Sequence, residues 1–368
     1  MQISSELSDY APQIHPVSIA CRKRAAGRKV ALLRCTAEDD LRAMTRRLLA
    51  LLGGLQPVVR AGDRVLIKVN GTMDKPRESG AVVDARVLWA LVEEAFAAGA
   101  AEVAIGDAAV LEQGGTLPIF ESLGYGEVAR ATGAALLDLN GPPYARVAVP
   151  GGGWAYRSLL IREELRAYDV LLNLPKMKTH VTTGVTLGLK NIFGMTPMNP
   201  VMGYSKASFH GELPEAELVQ NTPPGATARA YAAAFMEGRP SGESHDKLIR
   251  SVIDHNLVFP SSLVLIDGVV GMQGDGPWQG DPIASNVLLA GYDLVAADAV
   301  AARLMGYAAP HEMPLFQYAA RAGLGDSTLS GVEWAGDALE TLVTPFVRNP
   351  AYEAWAAEQQ ALTRPSRP

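Results

Sequence analysis

Four cationic side chains lie in one short and mainly apolar segment, LLNLPKMKTHVTTGVTLGLKNIFG, which covers residues 171–194. They are Lys176, Lys178, His180 and Lys190. Removing a charged group from water is costly unless an opposite charge meets it, so the segment predicts an anionic partner. A helix over residues 183–193, capped by Thr182 or Thr183, would offer free N–H groups to the same anion. We interpret the segment as a site for a substrate carboxylate or phosphate.

Lys190 is the strongest candidate for a role beyond simple charge. It follows Thr183 by seven residues, so on a helix both lie on one face, and helical side chains lean toward the N-terminus. The apolar residues around Lys190 predict partial burial, which lowers the pKa of a lysine, whereas a neighbouring Asp267 or Asp298 would restore its charge. A neutral amine can act as base or nucleophile, and a paired ammonium can stabilise an oxyanion. The alternative is that Lys190 only ties the helix to a carboxylate.

Further polar residues follow the predicted strands, where open α/β sheets bind their ligands. Asp267 ends one apolar strand and opens the glycine-rich loop DGVVGMQGDGPWQGDP. Asp267 and Asp275 are candidates for a general base or for magnesium-type ligands, although Asp275 also suits a simple turn. The predicted catalytic residues are Lys190, His180 and Asp267. The predicted substrate-binding residues are Lys176, Lys178, Lys68, Asn70, Thr182, Thr183, Asn191, Asp107 and Asp275.

Composition narrows the class of protein. The chain has 368 residues, 48% of them apolar, and a net charge of -6, which does not favour nucleic acid as a partner. Cys21 and Cys35 have neither metal-ligand nor disulfide-framework spacing, which favours a reducing cytoplasm. No apolar run reaches the length of a membrane span, and the N-terminus has no signal-peptide core, so we expect a cytoplasmic protein without membrane contact.

Motifs for metals and nucleotides are weak. His180 and His210 are thirty residues apart, with Glu212 two residues further on, and match no compact ligand motif. They remain weak candidates for metal ligands, and the sequence does not decide whether the protein binds a divalent metal. Neither a phosphate-loop motif nor a dinucleotide fingerprint occurs.

The elements that must position these residues alternate along the chain. Strands are predicted at 29–35, 63–70, 101–107, 135–139, 168–175, 261–268 and 285–291. Helices are predicted around 37–54 and at 84–100, 183–193, 245–257 and 294–306. Strands and helices at this spacing indicate βαβ units and mostly parallel sheets.

We therefore predict an α/β fold of two lobes, with mostly parallel sheets flanked by helices. Residues 28–150 form the first lobe and residues 151–345 the second, which carries an insertion near 195–244. Residues 1–27 form an N-terminal arm, and residues 346–368 form a peripheral tail. The lobes join near residues 140–165, through a crossing or hairpin, with the cleft at the carboxyl ends of the strands.

The segment NLPKMKTHVTTGVTLGLKNIFGM resembles the signature of the domain of unknown function 362 family. VLIKVN, AEVAIGD, LIDGVVGMQGDGPWQGDP and YDLVAADAVAARLMG resemble the family too, so the similarity spans roughly residues 28–337. It implies a two-part α/β protein with a shared cleft, and many family members are joined to ferredoxin-like iron–sulfur modules or found beside them. This chain differs in having only two cysteines, so it cannot build a four-cysteine cluster. Val83 and Ala85 also replace the threonine and proline of the family pattern around Asp84.

The favoured hypothesis is an enzyme that acts on a small anionic metabolite by lysine and histidine acid–base or electrostatic chemistry. Lys176 and Lys178 would hold the anion, His180 would move the proton, and Lys190 would stabilise negative charge. Isomerase- or lyase-type proton transfer is favoured over hydride transfer, and a lysine Schiff base is a variant. The first alternative is a redox-associated protein that docks a separate ferredoxin-like partner through the basic residues 22–29. The second is a non-catalytic anion-binding module, and homo-oligomerisation stays open.

Overall fold

Strands and helices alternate along the part of the chain that the structure describes. This computed structural model describes residues 14–15, 19–21, 23, 27–109, 113–197 and 242–363. The strands are β1 (Ile14–His15), β2 (Lys29–Arg34), β3 (Arg64–Val69), β4 (Glu102–Asp107), β5 (Ala135–Asp138), β6 (Tyr144–Ala148), β7 (Ser158–Arg162), β8 (Val170–Leu174), β9 (Lys176–His180), β10 (Gly184–Thr186), β11 (Leu263–Gln273), β12 (Asp281–Ile283), β13 (Val287–Gly291) and β14 (Glu333–Gly336). The α-helices are α1 (Leu41–Leu52), α2 (Ala85–Ala97), α3 (Thr116–Ser122), α4 (Tyr125–Thr132), α5 (Gly188–Asn191), α6 (Gly242–Val258), α7 (Leu294–Leu304), α8 (Pro314–Arg321) and α9 (Pro350–Thr363). Turns of 3-10 helix lie at Arg77–Ser79, Pro150–Gly152, Glu163–Ala167, Ile192–Met195, Pro310–Glu312 and Leu339–Thr341.

A large mixed sheet has the strand order β14-β2-β13-β11-β8-β3-β4-β5. Neighbours are parallel from β11 through β8, β3 and β4 to β5, and β14 is parallel to β2. The pairs β2–β13 and β13–β11 are antiparallel. The predicted α/β class, with a mostly parallel sheet flanked by helices, is confirmed.

Strands from both predicted lobes lie in this one sheet, whereas the sequence predicts separate sheets. β3 pairs with β8 from Val65 opposite Val170 to Val69 opposite Leu174. Both strands are nearly continuous apolar runs with buried residues on both faces, as is typical of central strands in a parallel sheet. The lobe boundaries, the N-terminal arm and the insertion stay predictions. The hairpin interpretation of residues 140–165 is confirmed, since β6 and β7 pair antiparallel.

The helices begin and end at the residues that their caps require. Asp40 accepts hydrogen bonds from the amides of Arg42 and Ala43 at the start of α1. Gly53 ends α1 with a φ of 100°, a backbone conformation that favours glycine. Asp84 caps α2 by accepting from the Arg86 amide, so the helix predicted at 84–100 has its cap at its first predicted residue.

Two apolar clusters cover the two faces of the sheet. Val65, Ile67 and Val69 of β3 pack in the cluster that contains residues of α1, α2 and α4. Leu66 packs in the cluster that contains residues of α5, α6 and α7. Since side chains alternate along a strand, Lys68 points toward the same face as Leu66.

Two sequence predictions about local structure are wrong. The helix expected over residues 183–193 is divided, because Gly184–Thr186 form β10 and pair antiparallel with β9. Gly184 has a φ of 79°, which suits the turn between these strands, and β-branched Val185 and Thr186 favour extended structure. The C-terminal tail is not peripheral where it is described, since Tyr352 of α9 is 1% exposed. His210 and Glu212 lie outside the described residues.

Candidate functional site

A buried ion pair joins the ends of β3 and β4. Lys68 Nζ lies 2.7 Å from Asp107 Oδ1, and the side chains are 1% and 0% exposed. The same amine donates to the Val69 carbonyl at 2.7 Å. Asp107 also accepts from the amides of Gly71 (3.0 Å) and Ala108 (2.8 Å), so its negative charge is well satisfied. Burial lowers the pKa of Lys68, and Asp107 opposes this shift.

Asn191 of α5 connects this pair to the neighbouring strand ends. Its Oδ1 accepts from Lys68 Nζ at 3.3 Å and from Asn70 Nδ2 at 3.2 Å. Its Nδ2 donates to the Lys68 carbonyl at 3.0 Å and to Asn173 Oδ1 at 2.8 Å. The amide therefore uses both its donor and its acceptor to fix α5 against β3 and β8.

A second buried ion pair lies on β9. Lys176, Lys178 and His180 alternate with Met177 and Thr179, so the three basic side chains share one face of the strand. Lys176 Nζ lies 2.7 Å from Asp267 Oδ2, with exposed fractions of 1% and 0%. β9 and β11 are parallel, with Lys176 opposite Asp267. Pairing between strands, which local sequence does not encode, thus brings this cation and this carboxylate together.

Lys178 differs from the other two buried lysines of this group. Its amine donates to Asn70 Oδ1 at 2.9 Å and to the Ala81 carbonyl at 2.8 Å, both neutral oxygens. No carboxylate among the described residues lies within ion-pair distance of it. Burial and then the charge of Lys176 lower the pKa of Lys178 to about 7, with a smaller contribution from Lys68 and an opposing one from Asp107.

A cleft of about 250 Å³ borders this group on the side of Lys176. Its lining residues are Ala37, Glu38, Arg77, Glu78, Asp84, Arg86, Lys176, Val269 and Val270. Arg86 donates to both carboxylate oxygens of Asp84, from Nε at 3.0 Å and from Nη2 at 2.8 Å. Burial raises the pKa of Asp84, but the hydrogen bonds and charge of Arg86 outweigh it, so the pKa is lowered. The cleft thus carries charges of both signs, with Arg77, Arg86 and Lys176 as its cations.

His180 is held by the turn that follows β9. Its Nδ1 accepts from the Thr182 amide at 2.9 Å and from the Thr183 amide at 3.3 Å. A neutral imidazole that accepts at Nδ1 carries its proton on Nε2, where it can donate. The Thr183 hydroxyl donates to the Val185 carbonyl at 2.9 Å.

The N-terminus of α5 is capped by a carboxylate of the chain itself. Asp298 accepts from the Gly188 amide at 2.8 Å and from the Leu189 amide at 2.7 Å. The predicted capping role of Thr182 or Thr183 is therefore wrong, and so is the prediction that Asp298 is the buried partner of a lysine. Asp298 is completely buried, and burial raises its pKa to about 7. The helix N–H groups that the sequence assigns to a substrate anion are occupied by this side chain.

Lys190 and Asp275 are predicted site residues, but their described contacts are with residues outside the group of buried lysines and carboxylates. Lys190 Nζ lies 4.3 Å from the ring centroid of Phe193, in a cation–π contact. Asp275 is exposed and accepts from Asn349 Nδ2 at 2.7 Å. The structure brings together Lys68, Asn70, Asp107, Lys176, Lys178, Asn191 and Asp267. The functional roles predicted for all of these residues stay predictions.

Sequence reasoning missed Thr186, which lies opposite Lys178 in the β9–β10 hairpin. A signal for it exists in KTHVTTGVT, where two β-branched stretches flank a glycine as in a hairpin. It also missed Tyr352, which no local pattern connects to this region. Among the described residues, no group of three or more histidine, cysteine, aspartate or glutamate side chains could hold a metal ion. None of the described helices combines the length and apolar character of a membrane span.

Known proteins resemble this chain in sequence and in structure. The family model described as "Domain of unknown function (DUF362)" matches residues 65–303. A thylakoid-associated protein of Synechocystis sp. is 26% identical over 275 residues, which cover 74% of this chain and 73% of that protein. The lactate racemase apoprotein of Thermoanaerobacterium thermosaccharolyticum is 16% identical with a TM-score of 0.39, over 73% of this chain and 55% of that one. A Thermotoga maritima protein is 12% identical with a TM-score of 0.35, over 66% and 52%. This chain spans about half the length of these two solved chains.

Proposed function

This chain belongs to the domain of unknown function 362 family, and we propose that it is an enzyme acting on a small metabolite that bears a carboxylate or phosphate. The reaction is the removal and return of a proton on a carbon next to the anionic group. The observation that carries this proposal is the environment of Lys178, a buried amine surrounded by neutral oxygens and by two further lysines.

The three buried lysines of this site, Lys68, Lys176 and Lys178, divide into two kinds. Lys68 and Lys176 are each paired with a carboxylate, so their charge is compensated. Lys178 is desolvated without such compensation, and the Lys176 charge disfavours a further ammonium beside it. An amine whose pKa lies at about 7 is neutral in a large fraction of molecules at neutral pH, which suits a general base.

The position of Lys178 agrees with this role. β3, β4 and β8 are parallel, and ligands of open α/β sheets bind beyond the carboxyl ends of such strands. Lys176 borders the cleft, and Lys178 lies two residues further along β9, a distance of about 7 Å. The Ala81 carbonyl, which accepts from Lys178, belongs to the segment between Glu78 and Asp84, two residues that line the cleft.

Each neighbouring group has a definable part in this chemistry. Proton removal beside a carboxylate develops negative charge on the substrate oxygens, and Lys176 at the cleft would stabilise it. Asn70 would orient Lys178 through its Oδ1, and Asn191 in turn holds Asn70. His180 would donate from Nε2, because its Nδ1 is occupied. This scheme transfers to Lys178 the proton-moving role that the sequence assigns to His180.

Deuterium exchange tests the proposal over a whole class of candidate substrates at once. Wild-type protein is incubated in D2O with a panel of 2-hydroxy, 2-amino and phosphorylated carboxylic acids, and loss of the signal of the proton next to the carboxylate is followed by NMR. The test variant is Lys178→Met. The matched control is Lys247→Met, since Lys247 of α6 is also 1% exposed and its pKa is lowered by burial to about 8.

We expect wild type and Lys247→Met to exchange at least one panel member, and Lys178→Met to be about 100-fold slower or worse, the usual scale for a lost general base. Circular dichroism establishes that both variants are folded. The proposal fails if Lys178→Met exchanges at the wild-type rate. It also fails if wild type exchanges no panel member.

A further inference from the structure

Two hydroxyl groups near Lys178 are buried without a hydrogen-bond partner. They are Thr186 Oγ1 and Tyr352 Oη, and neither is bonded in the part of the chain that the structure describes. The two residues are 4% and 1% exposed, so bulk water does not replace the missing bonds. Burying a hydroxyl without a partner is unfavourable, and native structures keep such groups rarely. Two of them in one region therefore require a reason.

Thr186 lies directly across the hairpin from Lys178. β9 and β10 are antiparallel, with Thr186 opposite Lys178 and Gly184 opposite His180. Directly opposed residues project from the same face of a sheet, with Cβ atoms about 5 Å apart. The Thr186 hydroxyl is thus on the face that carries Lys176, Lys178 and His180.

Tyr352 approaches β10 from α9. A Cβ atom added to Gly184 would lie only 2.7 Å from the Tyr352 hydroxyl oxygen. The hydroxyl therefore lies beside Gly184, two residues before Thr186 on β10. Gly184 and Thr186 are separated by two residues, or about 7 Å along the strand. A small ligand can span that distance.

The groups in this region are suited to an oxyanion. Burial holds the pKa of Tyr352 well above its ordinary value, so the hydroxyl keeps its proton and is a donor. The Thr186 hydroxyl is also free to donate, and Lys176 carries its positive charge on the same face. Carboxylate and phosphate oxygens accept such bonds, and bonds to a charged acceptor are stronger than those between neutral groups.

We propose that Thr186 and Tyr352 are ligand-binding residues whose hydroxyl groups donate hydrogen bonds to the carboxylate or phosphate of the substrate. This inference rests on the proposed function, because it places the anionic group of that substrate beside Lys178. It also assigns a binding role to α9, within the segment that the sequence indicates to be peripheral.

Near-isosteric variants separate binding from structure. Thr186→Val and Tyr352→Phe each remove one hydroxyl, and Thr186→Ser keeps it. The control is Thr45→Val in α1, because Thr45 is 0% exposed and its hydroxyl also has no partner among the described residues. Dissociation constants for inorganic phosphate and, separately, for acetate are measured by isothermal titration calorimetry on the full chain, and unfolding is measured in urea.

We expect wild type to bind at least one of the two anions, and the anion that binds identifies the substrate class. Thr186→Val and Tyr352→Phe should each raise that dissociation constant about 10-fold, as expected for the loss of one hydrogen bond to a charged group. Thr45→Val and Thr186→Ser should bind like wild type. Without ligand, removal of an unpartnered hydroxyl should leave urea stability unchanged or higher in all three deletion variants.

The inference is overturned if wild type binds neither anion, or if Thr186→Val and Tyr352→Phe bind as tightly as wild type. It is also overturned if these two variants are much less stable than Thr45→Val, because their hydroxyls would then have structural partners. The outcome is separable from that of the proposed function. If Lys178→Met abolishes deuterium exchange while both hydroxyl variants bind normally, Lys178 keeps its role and this inference fails.

Discussion

Lys176 and Asp267 form a 2.7 Å ion pair between adjacent parallel strands, and both side chains are almost completely removed from water. Asp267 also accepts from the Asp84 amide at 2.9 Å and from the Val269 amide at 3.1 Å. The pair therefore fixes the start of α2 as well as the register between β9 and β11. It connects the cleft to the centre of the sheet.

Replacing Lys176 with Met should lower the free energy of unfolding by about 3–5 kcal/mol, because Asp267 would remain as a buried charge without its cation. Urea denaturation of the full chain measures the change. Glu121→Gln, at the exposed pair with Arg130, is the control and should change little. An equally small loss in Lys176→Met would show that the buried pair does not stabilise the fold.

Asp298 should be more important for stability than an ordinary helix cap. Asp298→Ala leaves the amides of Gly188 and Leu189 buried without acceptors, and we expect a loss of about 2–4 kcal/mol in urea denaturation. Asp293 caps α7 in a similar way but is only partly buried, so Asp293→Ala should cost about 1 kcal/mol. Equal losses in the two variants would contradict a special role for Asp298.

The sequence predicts most of the strands and helices of the fold because their signals are local. Alternating strand and helix patterns place β2, β3, β4 and β8, and Asp40 and Asp84 mark helix starts through their residue type and position alone. Lys68, Asp107 and Asp267 are site candidates for a similar reason, since each lies in or beside an apolar strand.

Partners distant in sequence could not be predicted in this way. Asp298 is 110 residues from Gly188, so the sequence around α5 shows free N–H groups but not the carboxylate that meets them. The stretch GVTLGLKNIF is apolar nearly all round, and such short runs do not distinguish strand from helix. Lys178 lies in a strand, KMKTH, in which polar residues outnumber apolar ones. The burial of Lys178 depends on the segment around Ala81, whose carbonyl accepts from its amine.

Gly194 should be intolerant of a side chain because it lies against the Lys68–Asp107 pair. A Cβ atom there would lie 2.6 Å from Lys68 Nζ and 2.7 Å from Asp107 Oδ1, closer than such atoms can approach. Gly194→Ala should cost about 1–3 kcal/mol of unfolding free energy, as for other overpacked cores. In a Lys68→Ala background the cost should become smaller, because the contacts with the lysine are removed and only that with Asp107 remains. An unchanged cost there would show that the conflict lies elsewhere.

The pH dependence of stability should reveal the lowered pKa of Lys178. Its pKa falls from 10.5 to about 7 on folding, so between these values the unfolded chain binds the proton and the folded chain does not. Stability therefore rises with pH across this interval, by at most about 1.4 kcal/mol per pH unit from this one group. Below pH 7 both states are protonated, and the contribution becomes constant.

Lys178→Met removes this titration, so the stability of wild type relative to the variant should rise from about pH 7 to about pH 10 and stay level below pH 7. Urea denaturation at a series of pH values measures the difference. Lys247→Met is the matched control. The stability of wild type relative to this variant should begin to rise at about pH 8, because burial lowers the pKa of Lys247 to about 8. If the difference in unfolding free energy between wild type and Lys178→Met does not change with pH over this range, Lys178 is an ordinary ammonium at neutral pH. Its assignment as the proton-accepting amine would then have to be abandoned.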